Sequence, residues 1–164
     1  MSKKSKGGGT PATAALTRAA AEFTLHPYEH DPAAQAYGEE AADALGVPYE
    51  RIFKTLVAEL ESGLAVAVVP VSGKLDLKAL AAALGGKRAA MAEAAKVERV
   101  TGYVVGGISP LGQRKRLPTV VDSSALEFGT IFFSAGKRGL QIETAPADLI
   151  RLTEAVTAPI GKPS

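Results

Sequence analysis

The stretch Ile52–Pro70, IFKTLVAELESGLAVAVVP, indicates the fold most directly. Two apolar runs, 52–60 and 64–70, flank the short polar segment Glu61-Ser62-Gly63. Apolar runs separated by a few turn-forming residues predict a β-hairpin. Residues 65–69 read AVAVV, without polar alternation, which indicates a strand buried on both faces. We therefore expect a sheet in which these two strands are paired.

The predicted elements around this hairpin do not alternate regularly between strand and helix. Helices are predicted over 12–21, 37–45, 77–84, 92–100 and 147–156, and further strands over 23–25, 103–105, 119–122, 131–134 and 140–143. Pro11 suits the first position of a helix, Asp76 an N-cap and Gly46 a left-handed C-cap. This irregular order favours an α+β domain with a mixed sheet over a doubly wound parallel sheet.

Length and composition describe an ordinary globular chain. The 164 residues suffice for one hydrophobic core, and no repeat or internal linker divides them. We expect a disordered basic tail over 1–10, a single domain over 11–157 and a short tail over 158–164. The net charge of +2 is too small to indicate nucleic-acid binding by itself. No apolar run approaches the ~18 residues of a membrane helix, and no secretory segment follows the basic start, so we expect a cytoplasmic protein.

Several familiar catalytic patterns are absent or incomplete. The chain has no cysteine, which excludes a disulfide scaffold, a thiolate nucleophile and a cysteine-ligated metal. His26 and His30 lie beside Asp31, but Pro27 prevents an ordinary helical ligand pair, and a zinc site needs further ligands from elsewhere. A Ser-His-Asp triad stays compatible with the composition, yet no Gly-x-Ser-x-Gly elbow and no P-loop spacing is present. We expect neither a metal ion nor a cofactor.

Two glycine-rich segments follow apolar runs and carry cations. The run 103–105 leads into GGISPLG at 106–112, with a cationic run at 114–116. The run 131–133 leads into SAGKRG at 134–139. Glycine lets backbone N–H groups approach a ligand closely, so the two segments together predict one anion-binding mouth. Solvated hairpins are the alternative interpretation.

Lys54 lies within an apolar, strand-like run. One interpretation is a lysine that extends outward and keeps its ammonium group in water. The other is a lysine directed into a cleft, where it binds a phosphate or polarises a carbonyl group. Tyr28 and Tyr37 flank the histidine-rich segment, and such tyrosines are more typical of packing than of base stacking.

Six sequence blocks occur in a familiar order along most of residues 11–155. They are HPYEHD (26–31), YGEEAADALG (37–46), RIFKTLV (51–57), GKLDLKALA (73–81), TGYVVGGISPLGQRKRLPTVVD (101–122) and SAGKRGLQIE (134–143). In these blocks the chain resembles the YbaK/EbsC family, free-standing relatives of the editing domain inserted in bacterial prolyl-tRNA synthetases. The resemblance implies an α+β fold with a mixed, largely antiparallel, partly barrel-like sheet of about six or seven strands and helices packed around it.

The resemblance also implies an activity, that of a trans-editing aminoacyl-tRNA deacylase, an ester-cleaving enzyme of the lyase or hydrolase class. The YbaK branch removes cysteine from mischarged Cys-tRNA(Pro), and Cys-tRNA(Cys) is a further candidate substrate. In that branch the thiol of the substrate is expected to attack the ester, so the enzyme supplies positioning and charge stabilisation rather than a nucleophile. The implied partners are the acceptor end of tRNA(Pro) and, as a candidate, prolyl-tRNA synthetase.

Site residues follow from the resemblance position by position. Lys54 matches the essential lysine of the family, and Thr55 is its neighbour in the FKT motif. Tyr28 matches a pocket tyrosine, and Tyr37 stands where phenylalanine is common, which adds a hydroxyl. The other matching pocket residues are Gly106, Gly107, Ile108, Ser109, Ser134 and Gly136, and the cations expected to contact tRNA are Arg114, Lys115, Arg116, Lys137 and Arg138. Ala135 departs from the usual SGGKRG motif and would be strained if the position required a positive φ.

Three alternatives stay open on the sequence alone. In the first alternative, the protein is a deacylase for another small aminoacyl-tRNA such as Ala-tRNA(Pro), since a fold does not by itself determine the substrate. Alternatively, the protein binds tRNA or the synthetase without turnover, against which the intact Lys54 argues. The third is a domain whose glycine segments are plain hairpins, which leaves the ordered blocks unexplained.

Overall fold

The computed structural model describes residues 9–34 and 36–163, and within these ranges it confirms the α+β class. The helices are α1 Pro11–Arg18, α2 Tyr37–Leu45, α3 Leu77–Ala83, α4 Ala94–Thr101 and α5 Pro146–Thr153. The strands are β1 Phe23–Pro27, β2 Phe53–Leu60, β3 Gly63–Pro70, β4 Gly73–Leu75, β5 Ala89–Met91, β6 Thr119–Asp122, β7 Ile131–Lys137, β8 Leu140–Thr144, β9 Val156–Ala158 and β10 Gly161–Pro163. A 3₁₀ helix spans Ser123–Glu127. Residues 1–8 of the predicted basic tail, Gln35 and Ser164 lie outside the described residues.

The hairpin predicted from the opening stretch is confirmed, since β2 and β3 pair in antiparallel fashion along their full length. They form the centre of a five-stranded sheet in the order β5-β2-β3-β6-β9, in which β3, β6 and β9 run parallel. Residues 65–69 are each at most 2% exposed. Val66 and Val68 belong to the core on one face, whereas Val69 packs with Leu80 of α3 on the other. Cover on both faces explains why this strand lacks polar alternation.

A three-stranded antiparallel sheet, in the order β1-β8-β7, packs against the five-stranded sheet. Phe133 and Ile142 of this second sheet are fully buried in the shared core. Ile52, just before β2, forms a parallel bridge with Phe132 of β7, and α2 packs on both residues. This junction brings β2, α2 and the second sheet together.

The helix ends follow the local signals of the sequence. Thr10 caps α1 through a reciprocal side-chain pair, with Pro11 at its first position. Asp76 accepts a backbone hydrogen bond at the start of α3, at 3.1 Å, and Gly46 ends α2 with φ of +69°. The first helix ends at Arg18, a few residues earlier than predicted.

The predicted strand over 103–105 is wrong, because this segment leaves α4 through a tight turn. Gly102 adopts a φ of +83° directly after the helix. Tyr103 is buried, and its hydroxyl donates to the backbone carbonyl of Leu111 at 2.7 Å, whereas Val104 is 61% exposed. The apolar run is therefore a loop anchored by one aromatic ring rather than by strand pairing.

The C-terminal segment, which the sequence indicated as a short tail, folds onto the sheets up to Pro163. Strand β9 extends the five-stranded sheet, and β10 pairs with β4. Ile160 between them is fully buried, and the backbone N–H groups of Ile160 and Gly161 donate to Asp122 Oδ1 at 2.9 and 2.8 Å. This carboxylate holds the segment in place.

The sheet organisation differs in detail from the single, partly barrel-like sheet that we expected. The described strands form three separate sheets and do not close into a barrel. Four short strands, β4, β5, β9 and β10, carried no signal in the sequence and raise the number above the expected one. None of the described helices combines the length and the apolarity needed to cross a membrane.

Candidate functional site

A cavity of about 410 Å³ opens where β2 passes the start of α2, the loop after α4 and the second sheet. Seven of the predicted pocket residues line it: Tyr28, Tyr37, Lys54, Thr55, Gly106, Ile108 and Ser134. Phe53, Leu56, Met91 and Val97 add apolar surface that sequence reasoning did not single out. The junction of the two sheets therefore brings together residues from five sequence blocks.

Lys54 lines this cavity from β2, where it lies opposite Val69 of β3. Its side chain is partly buried and makes no hydrogen bond or ion pair with the other described residues. The remaining charged residues in the lining are the cation Lys137 and the carboxylate Glu39. A cation held in a largely apolar cavity is suited to an anionic ligand or to negative charge that develops during a reaction.

Two oxygen atoms in the cavity wall are buried without a hydrogen-bond partner among the described residues: Thr55 Oγ1 and Gln141 Oε1. Gln141 is only 7% exposed, and in β8 it lies between Ser134 of β7 and His26 of β1. Buried oxygen atoms are normally hydrogen-bonded, and an unpaired one costs roughly 1–3 kcal/mol. The cavity wall therefore contains two acceptors whose hydrogen-bonding capacity is unused among the described residues.

Sequence reasoning missed Gln141, although a signal was present. The run Leu140-Gln141-Ile142 places one amide between two buried apolar residues. Side chains alternate along a strand, so Gln141 faces away from the core that holds its two neighbours. A lone amide within a buried strand is the pattern that would have identified it.

Tyr28 is held beside the cavity by its backbone N–H, which donates to the carbonyl of Gly139 at 2.9 Å. Burial raises the pKa of its phenol above the usual value, although hydrogen bonds, one of them with the Gln141 side chain, act in the opposite direction. The phenol is therefore neutral at physiological pH and serves as a hydrogen-bonding group rather than as a charged base.

The two glycine-rich segments pack directly against each other. A Cβ at Gly107 would lie 2.9 Å from Lys137 Cα, so only glycine allows this approach. Gly136 has φ of +109°, and a Cβ there would lie 2.6 Å from Cε1 of Tyr103. Ala135 does not adopt a positive φ, so the strain considered for it does not arise. The left-handed conformation of this turn falls on Gly136 instead.

Gly107, Ser109 and Gly136 were predicted as pocket residues but are not among those that line the cavity. Ser109 is fully buried, and its Oγ accepts from the backbone N–H of Leu111 at 3.3 Å. These residues shape the loops behind the cavity wall.

The predicted tRNA-contacting cations fall into two groups. Arg114, Lys115 and Arg116 are exposed on the loop outside the cavity, whereas Lys137 lines the cavity and Arg138 lies over the ring of Tyr37. Arg116 pairs with Glu154 at 3.2 Å, with both side chains mostly exposed, and such pairs contribute little to stability. The exposed group forms a cationic surface on the loop before β6.

The two histidines are engaged with carboxylates. His26 Nε2 lies 2.8 Å from Glu143, and His30 Nδ1 lies 2.9 Å from Glu40. A hydrogen bond from the Thr130 hydroxyl, with smaller contributions from His26, lowers the pKa of Glu143. Within residues 9–34 and 36–163, no group of three or more histidine, cysteine or acidic residues is arranged to hold a metal ion.

The chain is similar in sequence to known proteins over the region that forms most of the cavity. Residues 30–152 match a family model described as an aminoacyl-tRNA editing domain. The chain is 45% identical over 123 residues to EbsC of Enterococcus faecalis, a proposed Cys-tRNA(Pro)/Cys-tRNA(Cys) deacylase, with 74% of this chain and 75% of that protein covered. It is 28% identical over 142 residues to the multifunctional Ser/Thr-tRNA deacylase ProXp-y of Escherichia coli, with 86% and 85% covered.

Structural similarity extends over the whole chain. A solved structure with a proposed role in trans-editing for prolyl-tRNA synthetase superimposes with a TM-score of 0.81 at 26% identity, covering 99% of both chains. The residues matched by the family model contain Lys54, both glycine-rich segments and Gln141. The chain therefore belongs to the aminoacyl-tRNA editing domain family.

Proposed function

We propose that this protein is a trans-editing deacylase that removes cysteine from mischarged Cys-tRNA(Pro), and also from Cys-tRNA(Cys). The observation that carries the proposal is the cavity itself, in which Lys54 and two buried oxygen atoms share the wall, and none of the three has a partner in the part of the chain that the structure describes. A volume of about 410 Å³ suits one small aminoacyl group and part of the ribose that carries it. The 45% identity to EbsC supports cysteine as that group.

Each polar group of the cavity has a role in this proposal. In this proposal the wall adjusts slightly on binding, so that the α-ammonium group of the aminoacyl ester donates to Thr55 Oγ1 and Gln141 Oε1, the two buried oxygen atoms that lack partners among the described residues. Lys54 holds the terminal phosphate or the ester in place with its positive charge. The neutral phenol of Tyr28 and the Ser134 hydroxyl complete the wall around the ester.

The reaction that suits this cavity needs no nucleophile from the protein. The cysteine thiol of the substrate loses its proton and forms a C–S bond to its own ester carbonyl carbon. The C–O bond to the tRNA ribose then breaks, and the ribose oxygen takes up a proton. Negative charge develops on the carbonyl oxygen and then on the leaving oxygen, where the ammonium group of Lys54 stabilises it. The cavity restrains the aminoacyl group, so that thiol and carbonyl stay close.

A second candidate comes from the similarity to a Ser/Thr-tRNA deacylase. Serine differs from cysteine by one atom, and an apolar wall discriminates such close analogues by only about 1–3 kcal/mol. A seryl or threonyl ester would occupy the same cavity, with the side-chain hydroxyl in place of the thiol.

The proposal includes contacts outside the cavity. Arg114, Lys115 and Arg116 meet phosphates of the acceptor stem, which makes binding dependent on salt. Prolyl-tRNA synthetase is the candidate protein partner, since a structural neighbour has a proposed role in trans-editing for that enzyme. Charged tRNA is a cytoplasmic substrate, so the proposed site of action is the cytoplasm.

The test is a panel of tRNA(Pro) charged with cysteine, serine, threonine, alanine or proline, incubated with substoichiometric protein. Selective loss of the cysteinyl ester supports the proposal, and resistance of an S-methylcysteinyl ester supports attack by the substrate thiol. Preferential loss of the seryl or alanyl ester would move the protein to another branch of the family. Binding of every tRNA without loss of any ester would show a binding module and refute the proposed activity.

A further inference from the structure

Arg138, expected from the sequence to contact tRNA, is engaged with two other parts of the cavity rim. Its Cζ lies 4.2 Å from the centroid of the Tyr37 ring. Its Nη2 donates to the Tyr37 hydroxyl and to the backbone carbonyl of Val105, both at 3.0 Å. Guanidinium groups stack on aromatic faces and donate hydrogen bonds in a fixed plane, which an ammonium group cannot do.

This contact joins three segments that are far apart in the sequence: the first residue of α2, the loop after α4 and the turn between β7 and β8. Tyr37, Val105 and Gly106 all line the cavity. Gly106 has φ of +95°, and a Cβ there would lie 2.6 Å from Arg138 Nε and 2.8 Å from Tyr37 Cε2. Glycine at this position therefore allows the loop to reach Arg138 and Tyr37.

The start of α2 depends on this contact more than the rest of the helix does. Ala41 and Ala42, one turn further on, are buried in a core with Ile52 and Phe132. Ala36, at the N-cap, provides no side-chain hydrogen bond. Tyr37 is only partly buried, and Arg138 supplies its hydrogen bond and its stacking partner, with the His30 ring 6.3 Å away.

We propose that Arg138 is a positioning residue for the editing reaction, which holds Tyr37 and the Val105–Gly106 peptide together as one wall of the aminoacyl cavity. The inference rests on the proposed function. A fixed wall limits the orientations open to the aminoacyl group and so keeps the reacting atoms close. The Tyr37 hydroxyl adds an acceptor for Arg138 that a phenylalanine at this position could not offer.

The first experiment compares Arg138→Ala, Arg138→Lys and Tyr37→Phe by kcat/KM on Cys-tRNA(Pro). Arg138→Ala is expected to lose about ten-fold or more, the size expected when a cation–π contact and two partly exposed hydrogen bonds are lost together. Arg138→Lys keeps the charge but is expected to lose nearly as much, and Tyr37→Phe, which keeps the ring, to lose less. In a Tyr37→Ala background, Arg138→Ala is expected to lose less than it does in the wild-type protein, because one of the two groups that it positions is already absent.

Salt dependence separates this role from a phosphate contact. Lys115→Ala, the matched change of an exposed cation, is expected to reduce the slope of log kcat/KM against log salt by about 1, whereas Arg138→Lys and Arg138→Ala leave the slope unchanged. Full activity of Arg138→Lys, additive losses in the double variant, or a reduced slope in Arg138→Ala would each overturn the proposal.

Hydrogen exchange distinguishes failure of this inference from failure of the proposed function. Arg138→Ala is expected to speed amide exchange at residues 40–43, the first amides of α2 with helical hydrogen bonds, while the melting temperature of the whole protein stays within a few degrees of the wild-type value. If the wild-type protein cleaves no ester, the proposed function fails, and with it the catalytic role of Arg138. Unchanged exchange in Arg138→Ala, together with wild-type turnover in a protein that does cleave the ester, refutes the positioning role alone.

Discussion

Replacing Thr55 with valine is expected to stabilise the protein and to slow the proposed reaction. Thr55 Oγ1 is buried in the cavity wall without a hydrogen-bond partner among the described residues. Valine has nearly the same shape and suits a strand, so the change removes an unsatisfied hydroxyl without opening a void. We expect the free energy of unfolding to rise by about 1–2 kcal/mol, which raises Tm by roughly 2–8 °C for a chain of this size.

Thr144→Val is the matched control, because Thr144 is also a threonine in a strand. It is 2% exposed, but its hydroxyl donates to the carbonyl of Glu22 at 2.7 Å. Its replacement is expected to lower the free energy of unfolding by about 1–2 kcal/mol. Thermal and urea unfolding of both variants measure the difference. If Thr55→Val destabilises the protein as much as Thr144→Val does, the Thr55 hydroxyl is satisfied in the free protein and the reasoning is refuted.

The kinetic half of this prediction concerns the same hydroxyl. If Thr55 Oγ1 accepts a hydrogen bond from the substrate ammonium group, Thr55→Val lowers kcat/KM on Cys-tRNA(Pro) by about ten-fold or more. Thr144→Val, which lies outside the cavity lining, is expected to keep the wild-type value. A stabilised Thr55→Val variant with full activity would show that the substrate does not use this hydroxyl.

Three further substitutions test the fold. Gly136→Ala places a Cβ against Tyr103 at a φ of +109° and is expected to lower the free energy of unfolding by about 1–3 kcal/mol, whereas Gly129→Ala, with open space around it, is expected to be neutral in the same urea titration. Burial raises the pKa of Tyr103 to about 12 in the folded protein from 10.0. The free energy of unfolding is therefore expected to fall by up to about 2–3 kcal/mol as the pH rises from 10 to 12. In Tyr103→Phe, which has no ionisable phenol at this position, unfolding measured over the same pH range is expected to show a smaller fall. Asp122→Ala removes the acceptor for two backbone N–H groups and is expected to cost about 2–4 kcal/mol and to expose 160–163 to hydrogen exchange, whereas Asp148→Ala, which breaks an exposed ion pair, is expected to change the melting temperature little.

Elements with local signals were predicted well from the sequence. The turn at Glu61-Ser62-Gly63, the N-cap at Asp76 and the C-cap at Gly46 each contain the residue that the local geometry requires. The three-residue strands were not predictable in this way, because their partners are distant: β10 pairs with β4, and β9 with β6. The run 103–105 was wrongly predicted as a strand, because three consecutive apolar residues are equally compatible with a loop that is anchored by the buried Tyr103.

For the site, the resemblance to a family located Lys54 and the tyrosines, but it did not reveal the roles of their neighbours. Gln141 has its place in the cavity because β8 lies between β7 and β1, a register that only the folded sheet shows. Arg138 lies between Lys137 and Gly139 in a turn, where a cation normally indicates a solvated tip. Its contact with Tyr37 depends on a third segment, the loop at Gly106, which comes close only in the folded protein.

The central claim, that the cavity around Lys54 is the site of deacylation, is tested most directly by the single-turnover rate of Cys-tRNA(Pro) cleavage in Lys54→Met. Methionine keeps most of the length of the side chain and removes only its charge, and a melting temperature confirms folding. The account predicts a fall of about 100-fold or more, the effect of removing one charge-stabilising group from a catalytic site. A Lys54→Met variant that is folded and cleaves the ester at the wild-type rate would contradict it.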